Sequence, residues 1–373
     1  MTHDLILAIE TSCDDTAAAV VANGRQVLSS VRINQDTLHA ATGGVVPEVA
    51  ARQHLNAMHP VIHQALNKAG VKLNDVNAIA ATLGPGLVGS LLIGTTVAKS
   101  LAVLANKPFI PVHHLQAHVC SVFLESTITP PLLALLISGG HTQLLAVTAN
   151  SSGFQVTLLG ETLDDAVGET YDKIGRQLGL GFPAGPEVDR RAALGNAKRF
   201  ALPIAKTEAP LDFSYSGLKT ATIRLYQQQV ALVTQSTDHD TLLNDLCTAF
   251  QQAAIAPLVT KTLLAAKHHG FTNIAICGGV SANQGLRNTF ADVTQQHPHL
   301  QVVFPPLRYC TDNAAMVGAA AYFTPYQKPL SGSDSLNPLG WEVFSRSPWG
   351  NTLAATHTAT MPLSAVVSAS HPQ

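Results

Sequence analysis

Charge is scarce in this chain. Only 12% of its 373 residues are Asp, Glu, Lys or Arg, and 24 acidic residues nearly balance 22 basic ones, for a net charge of −2 and a pI near 6.7. Bulk electrostatics therefore exclude a protein that grips nucleic acid by its overall positive field. With hydrophobic residues at 46%, the same scarcity excludes an intrinsically disordered chain. Cysteine is thin and scattered: Cys13, Cys120, Cys247, Cys277 and Cys310 are odd in number and form no CxxC pair. That excludes a disulfide scaffold and points to buried thiols in a reducing cytoplasm. The N-terminal MTHDLILAIETSCDDT has no basic leader, its apolar run is broken by Glu10, and no stretch approaches the roughly 20 apolar residues of a membrane span. No membrane association is expected. The length suffices for two ordinary domains, each with its own core.

What is present is organised around PFIPVHHLQAHVCSVFLESTITPPLLALLISGGH, residues 108 to 141. An apolar run ending at Val112 reads as a strand, HHLQAHVCSVFLE as a helix, and PLLALLI as a second strand closing in the turn Ser138-Gly139-Gly140-His141. His114 and His118 are four apart, so their imidazoles leave one face of the helix a turn apart. Two neutral imidazoles at that spacing suit one divalent metal ion. The small turn offers free backbone N–H groups, which suit an anion.

The opening LILAIETSCDDTAAAVVANGRQVLSS reads as two strands flanking a turn of Glu10 to Thr16, with a hairpin signal at Asn23-Gly24. Glu10, Asp14 and Asp15 crowd the first turn. They are either a polar turn or a carboxylate cluster built for metal or general-base work. A helix from about Pro47 has an apolar stripe of Val49, Leu55, Met58, Ile62 and Leu66, which is most simply core, while His54, His59 and His63 read as surface residues. Gly84-Pro85-Gly86 then stands between a strand and a long apolar helix, an arrangement that can bind phosphate or merely pack. STITPP, 126 to 131, reads as a hinge.

LLISGGHTQLLAVT repeats the strand–turn–strand plan of LAIETSCDDTAAAVV. The fold expected is therefore α/β, with two related halves facing across a cleft. We divide them at 1–128 and 129–326, with 327–373 a Pro/Ser/Thr-rich extended tail in which Trp341 and Trp349 are possible anchors. In the second half, Asp172 lies on a helix, Gly185 in a Gly-Phe-Pro-Ala-Gly-Pro loop and Asp189 just beyond it. Gly278-Gly279 and Asn283 follow a strand, where backbone can approach a nucleoside. Thr311-Asp312 reads in two ways: as a helix N-cap, or with Asp312 as the carboxylate completing a His-His-Asp metal site.

The motifs AIETSCDDT, GGVVPEVAARQH, HHLQAH, LISGGHTQL, GGVSAN and YCTDNAAM, in that order over about residues 4 to 325, resemble those of the universal tRNA threonylcarbamoyladenosine transferase family, of which TsaD is the bacterial type. The resemblance implies the actin-like ATPase fold of Hsp70 and sugar kinases, with two duplicated α/β domains around a nucleotide cleft. It implies transfer of the threonylcarbamoyl group from threonylcarbamoyl-AMP to N6 of the adenosine 3′ of the anticodon in tRNAs reading ANN codons. One divalent metal, iron(II) first and zinc second, would be held by His114, His118 and Asp312. Leu136, Ile137, Ser138, Gly139, Gly140, Asp172, Gly185, Asp189 and Asn283 match substrate-binding positions, and Asp14 matches an acidic position linked to activity. The partners implied are tRNA, a shorter inactive paralogue of the TsaB type and a small P-loop ATPase of the TsaE type. Two departures stand out: Asp15 where Glu is commoner, and Ala184 in the loop before Gly185.

Three rival readings share parts of this pattern. A small-molecule kinase of the same fold would need no HHLQAH motif. A metalloprotease would need a Glu after His114 as in HExxH, and Leu115 stands there. A non-catalytic scaffold would lack the metal ligands. The basic pairs Arg190-Arg191 and Lys198-Arg199 are too short to make an RNA surface, so partners are expected to supply most of the positive charge.

Overall fold

The computed structural model describes residues 4–323, apart from 41, 43, 151, 152 and 234, together with 341–346. Two five-stranded sheets form its frame. The first contains β1 (Leu5–Glu10), β2 (Thr16–Ala22), β3 (Gln26–Ile33), β4 (Ala78–Gly84) and β5 (Phe109–His113), in the order β3-β2-β1-β4-β5. The second contains β6 (Leu132–Ile137), β7 (Thr142–Asn150), β8 (Gly153–Glu161), β9 (Asn273–Cys277) and β10 (Gln301–Val303), in the order β10-β9-β6-β7-β8. Each sheet has an antiparallel three-strand meander followed by two parallel strands added beside the first. The repeat expected from the sequence is thus a repeat of topology as well as of pattern.

The helices, in chain order, are α1 (Asp36–Ala40), α2 (Pro47–Ala69), α3 (Val88–Ala105), α4 (His114–Cys120), α5 (Val167–Gln177), α6 (Gly185–Ala192), α7 (Ser216–Val230), α8 (Ser236–His269), α9 (Gln284–Gln296) and α10 (Ala314–Phe323). Strand side chains alternate between two cores, as a two-residue period requires. Leu132, Ala134 and Leu136 of β6 enter a central core, while Leu133, Leu135 and Ile137 enter an outer one covered by α5 to α9. The central core joins both sheets through α4 and α10. Small side chains allow this close approach: a Cβ on Gly318 of α10 would stand 2.7 Å from Val21 Cγ2. Helices α2 and α3 cover the other face of the first sheet.

The structure corrects three expectations. The buried stripe of α2 is Ala50, His54, Met58, Val61, Ile62 and Ala65, so Val49 and Leu55 face solvent. His54 is fully buried rather than superficial, because Thr16 Oγ1 at 2.7 Å and the Cys13 carbonyl at 3.0 Å satisfy both ring nitrogens; His59 and His63 are exposed, as expected. One described helix, α3, is long and apolar enough to cross a membrane by length and composition, with a mean hydropathy of 1.7 over 18 residues. Its Leu91, Ala98 and Ala102 are buried, and Ala98 and Ala102 belong to the core between α2 and the first sheet.

Of the tail, residues 341–346 return to the first half. Trp341 and Phe344 pack against the core under α2 and α3, Lys99 donates to the Trp341 carbonyl, and the Phe344 N–H donates to Leu83 O at 3.1 Å. Trp349 and the rest of 347–373 lie outside the described residues.

Candidate metal and nucleotide site

The imidazole pair is fixed by the junction of β5 and α4. His113 ends the strand and caps the helix with extended backbone, so His114 and His118 open successive turns of α4. Their rings meet edge to face with centroids 4.7 Å apart. Asp312 arrives from the loop before α10. The helix-cap reading of Asp312 is corrected: Asn313 takes that role, its Oδ1 accepting from Met316 N at 2.9 Å while its Nδ2 donates to the Tyr309 and Thr311 carbonyls. Asp312 is thereby left to the histidines. Its Oδ1 lies 3.1 Å from His118 Nε2 and 3.7 Å from His114 Nε2, and one donor atom from each of the three residues falls within 4.8 Å of the others.

This donor set fits a first-row divalent ion. Bonds of about 2.0–2.2 Å to imidazole nitrogen and carboxylate oxygen place neighbouring donors about 3 Å apart, as the His118–Asp312 separation already is. Two imidazoles and one carboxylate also leave coordination positions open. The electrostatics agree. Burial alone would lower the His114 pKa, but the Asp312 and Glu10 carboxylates beside it raise it to about 9. Burial would raise Asp312, and the two imidazoles hold it well below the usual carboxylate range. The site attracts positive charge, whether protons or a cation.

The first turn surrounds this trio. Asp14 is half-buried in it, and no hydrogen bond or ion pair among the described residues joins Asp14 to His114, His118 or Asp312. It is Glu10 and Ser12 of the same turn that reach His114 Nδ1, at 3.6 Å and 3.1 Å. Burial lifts Asp15 to about 8 against the pull of Arg32, whose Nη1 donates to it at 3.3 Å and to Thr311 Oγ1 at 2.6 Å. Sequence reading assigns no role to Ser12 or Arg32, because their partners His114 and Thr311 stand far along the chain from them.

The second turn is closed by the Ser138 N–H donating to His141 O at 2.8 Å and the His141 N–H donating to Ser138 Oγ at 3.2 Å. Gly139 and Gly140 are exposed, and a Cβ on either would meet nothing within 4 Å, so their face is open. Leu136 and Ile137 are fully buried in two different cores; their side chains face away from any ligand and only their backbone is available. The first turn of α5 abuts this turn, since a Cβ on Gly168 would stand 2.5 Å from Ser138 O. Gly278, at φ +89°, crosses Ile137 O so closely that a Cβ would be 2.4 Å away. Here glycine is required by both backbone conformation and space.

The four remaining residues are linked as hydrogen-bonding caps. Asp172 Oδ1 accepts from the N–H groups of Ala184 (2.8 Å) and Gly185 (3.2 Å) at the start of α6. Asp189 accepts from the Gln284 (2.7 Å) and Gly285 (3.2 Å) N–H groups at the start of α9, and Asn283 Oδ1 accepts from Leu286 N (2.8 Å). Gln251 of α8 joins two of them: its Nε2 donates to Asp189 Oδ1 at 3.0 Å, and its Oε1 accepts from Asn283 Nδ2 at 2.8 Å and the Tyr171 hydroxyl at 3.2 Å. A cavity of about 660 Å³ lined by Asp189, Gln251, Gln284 and Gly285 opens beside this network. Nothing in the sequence hints at Gln251, one of many polar residues of α8 and one that the fold buries. Three of the four side chains in the basic pairs are engaged locally: Arg190 and Arg191 with Glu187, and Arg199 with Asp245.

Comparison with known proteins bears on this geometry. The family model for tRNA N6-adenosine threonylcarbamoyltransferase matches residues 26–319. The chain is 48% identical to the tRNA N6-adenosine threonylcarbamoyltransferase of Nostoc sp. strain PCC 7120 over 324 residues, covering 85% of this chain and 90% of that one. It is 45% identical to the protein of the same name from Symbiobacterium thermophilum over 324 residues, covering 87% and 92%. Among solved structures, full-length HypF in its phosphate- and nucleotide-bound form superposes with a TM-score of 0.55 at 13% identity, over 88% of this chain and 47% of that one. HypF from T. kodakarensis gives 0.54 at 15% identity, over 90% and 49%. These likenesses establish the fold as the actin-like ATPase fold with two α/β sheets. The family-model match, which runs from β3 into α10 and includes all three residues of the His-His-Asp cluster, and the 48% identical relative establish that the chain belongs to the tRNA N6-adenosine threonylcarbamoyltransferase family.

Proposed function

We propose that this chain transfers the threonylcarbamoyl group from threonylcarbamoyl-AMP to N6 of the adenosine 3′ of the anticodon in tRNAs reading ANN codons, with release of AMP. The observation that carries the reading is the convergence of His114 and His118, from the first half, with Asp312, from the second. The halves are assigned to 1–128 and 129–326.

In the reaction, N6 attacks the carbamoyl carbonyl carbon, the bond from that carbon to the phosphate oxygen breaks, and N6 loses a proton. The Ser138–Gly140 backbone, beside the start of α5, is assigned to the phosphate as negative charge grows on the leaving group. Asp172 and Gly185, with Asp189 and Asn283 held by Gln251, are assigned to the nucleoside. Leu136 and Ile137 contribute main chain only. Asp14, in the polar first turn, is assigned the N6 proton. His114, His118 and Asp312 would hold one divalent ion, iron(II) before zinc, which when bound supplies Lewis-acid polarisation of the threonylcarbamoyl moiety.

Arg190, Arg191 and Arg199 are spent on local ion pairs, which supports a paralogue of the TsaB type and a P-loop ATPase of the TsaE type as contributors to the tRNA-binding surface. The test is a reconstituted reaction of tRNA, threonine, bicarbonate and ATP with the partner subunits, read out as modified nucleoside. Wild-type chain should form it; His114→Ala and His118→Ala should not. Full modification by a metal-free double variant would refute the metal's part, and a phosphorylated small metabolite from ATP alone would favour the kinase reading.

A further inference from the structure

We propose that Glu10 and Ser12 are positioning residues that lock His114 into the tautomer and ring orientation a metal ion requires, an inference that rests on the metal reading above. The argument begins with the two faces of the His114 ring. Nε2 points to Asp312 Oδ1, while Nδ1 points away from that cluster to Ser12 Oγ at 3.1 Å and Glu10 Oε2 at 3.6 Å. An imidazole that lends the Nε2 lone pair to a cation must carry its proton on Nδ1. Ser12 Oγ accepts that N–H, and Glu10 stands behind it as the negative charge.

Glu10 is an unusual residue for a mere turn. It is fully buried at the end of β1, and among the described residues it has no Lys or Arg partner. Its Oε1 accepts from the Ser12 N–H at 2.5 Å and its Oε2 from the Thr82 hydroxyl. Those two positions alone would be served by a neutral glutamine, its oxygen accepting from the Ser12 N–H and its amide N–H donating to the Thr82 hydroxyl oxygen, without the cost of burying a charge. The Nδ1 edge of His114, 3.6 Å from Glu10 Oε2, gives the carboxylate a reason, because a ring that lends its Nε2 lone pair to a cation has a polarised Nδ1–H. A carboxylate behind a ligating histidine raises the ring's donor strength and fixes its orientation.

The turn that carries the pair is itself held. The Leu87 N–H donates to Ser12 O at 2.8 Å, the Thr11 hydroxyl donates to Ser90 O at 2.9 Å, and a Cβ on Gly86 would stand 2.4 Å from Ser12 O. The β4–α3 junction therefore sets where Glu10 and Ser12 stand. His118 has no such support: its Nδ1 is buried with no hydrogen-bond partner among the described residues. The two ligands are thus unequal, one with its Nδ1 braced and one without.

The experiment uses the full chain stripped of metal and titrated with Zn2+ against a chromophoric chelator, with the apo-protein melting temperature measured alongside. The variants are Glu10→Gln, Ser12→Ala and His118→Ala. Glu10→Gln and Ser12→Ala should each weaken Zn2+ binding by about 10- to 100-fold, shift the Co2+ absorption spectrum, and leave apo melting near wild type; His118→Ala should lose binding. If His118→Ala loses binding while Glu10→Gln and Ser12→Ala bind Zn2+ as wild type does, the positioning role is overturned and the metal reading stands. If His118→Ala also binds as wild type, the metal reading itself falls. Should Glu10→Gln fail to fold, Ser12→Ala decides: weakened binding upholds the proposal and wild-type affinity overturns it.

Discussion

The two halves of this molecule have the same strand order and place opposite chemistry in the same turn. After β1 the chain spends residues 11–15 on Thr, Ser, Cys and two Asp, with Glu10 buried at the strand end; after β6 it spends four on Ser138-Gly139-Gly140-His141. The first turn is clamped by neighbouring backbone and faces imidazole. The second is open, with nothing within 4 Å of where side chains at Gly139 and Gly140 would begin. The same frame thus carries two unlike turns, one clamped and facing an imidazole, the other open with its backbone exposed.

The comparison breaks most sharply at Asp312, which follows the second sheet in the chain and stands just before α10, the helix packed on β1 and β2 of the first sheet. Asp312→Ala should reduce bound metal to background and lower transfer by about a thousandfold, since several kcal/mol of charge stabilisation depend on the cluster; metal analysis and a nucleoside assay measure both. Next comes the second turn. Gly168→Val drives a side chain into Ser138 O and should cost about 1–3 kcal/mol in chemical denaturation, whereas Gly139→Ala, pointing into open space, should stay within about 0.5 kcal/mol. Gln251→Leu leaves Asp189 and Asn283 each short of a partner. It should cost about 1–3 kcal/mol and weaken AMP binding measured calorimetrically, with bound metal unchanged.

The last contrast belongs to the first turn and appears only against pH. Asp15 titrates near 3.8 in the unfolded chain and near 8 when folded. Between those values the unfolded chain binds fewer protons, so this residue makes stability fall as pH rises from about 4 to about 8. Asp15→Asn should flatten that part of the stability–pH curve in denaturant titrations of the metal-free chain.

Much of this was legible from local pattern. Strand runs, the α4 histidine spacing and the hairpin at Asn23-Gly24, whose φ values are 51° and 65°, follow from short-range rules. The duplicated plan was visible as well, because turns and strands recur in register. What escaped was set by tertiary packing. The α2 stripe reads equally well rotated by one position, and only the proximity of Thr16 and Cys13 makes His54 an interior residue. Thr311-Asp312-Asn313 contains three plausible caps, and the choice of Asn313 is what releases Asp312. Glu10 ends β1 and His114 opens α4, far apart in the chain, and no periodicity links them. Leu136 and Ile137 sit in a strand buried on both sides, so a motif match there identifies main chain rather than side chains.

The most direct measurement is metal-edge X-ray absorption on the full-length chain loaded with one equivalent of metal, compared with the Asp312→Ala variant. The account predicts a single ion with two imidazole nitrogens and carboxylate oxygen at about 2.0–2.2 Å, and loss of that signature in the variant. A thiolate shell at about 2.3 Å, or a spectrum unchanged by Asp312→Ala, would contradict it.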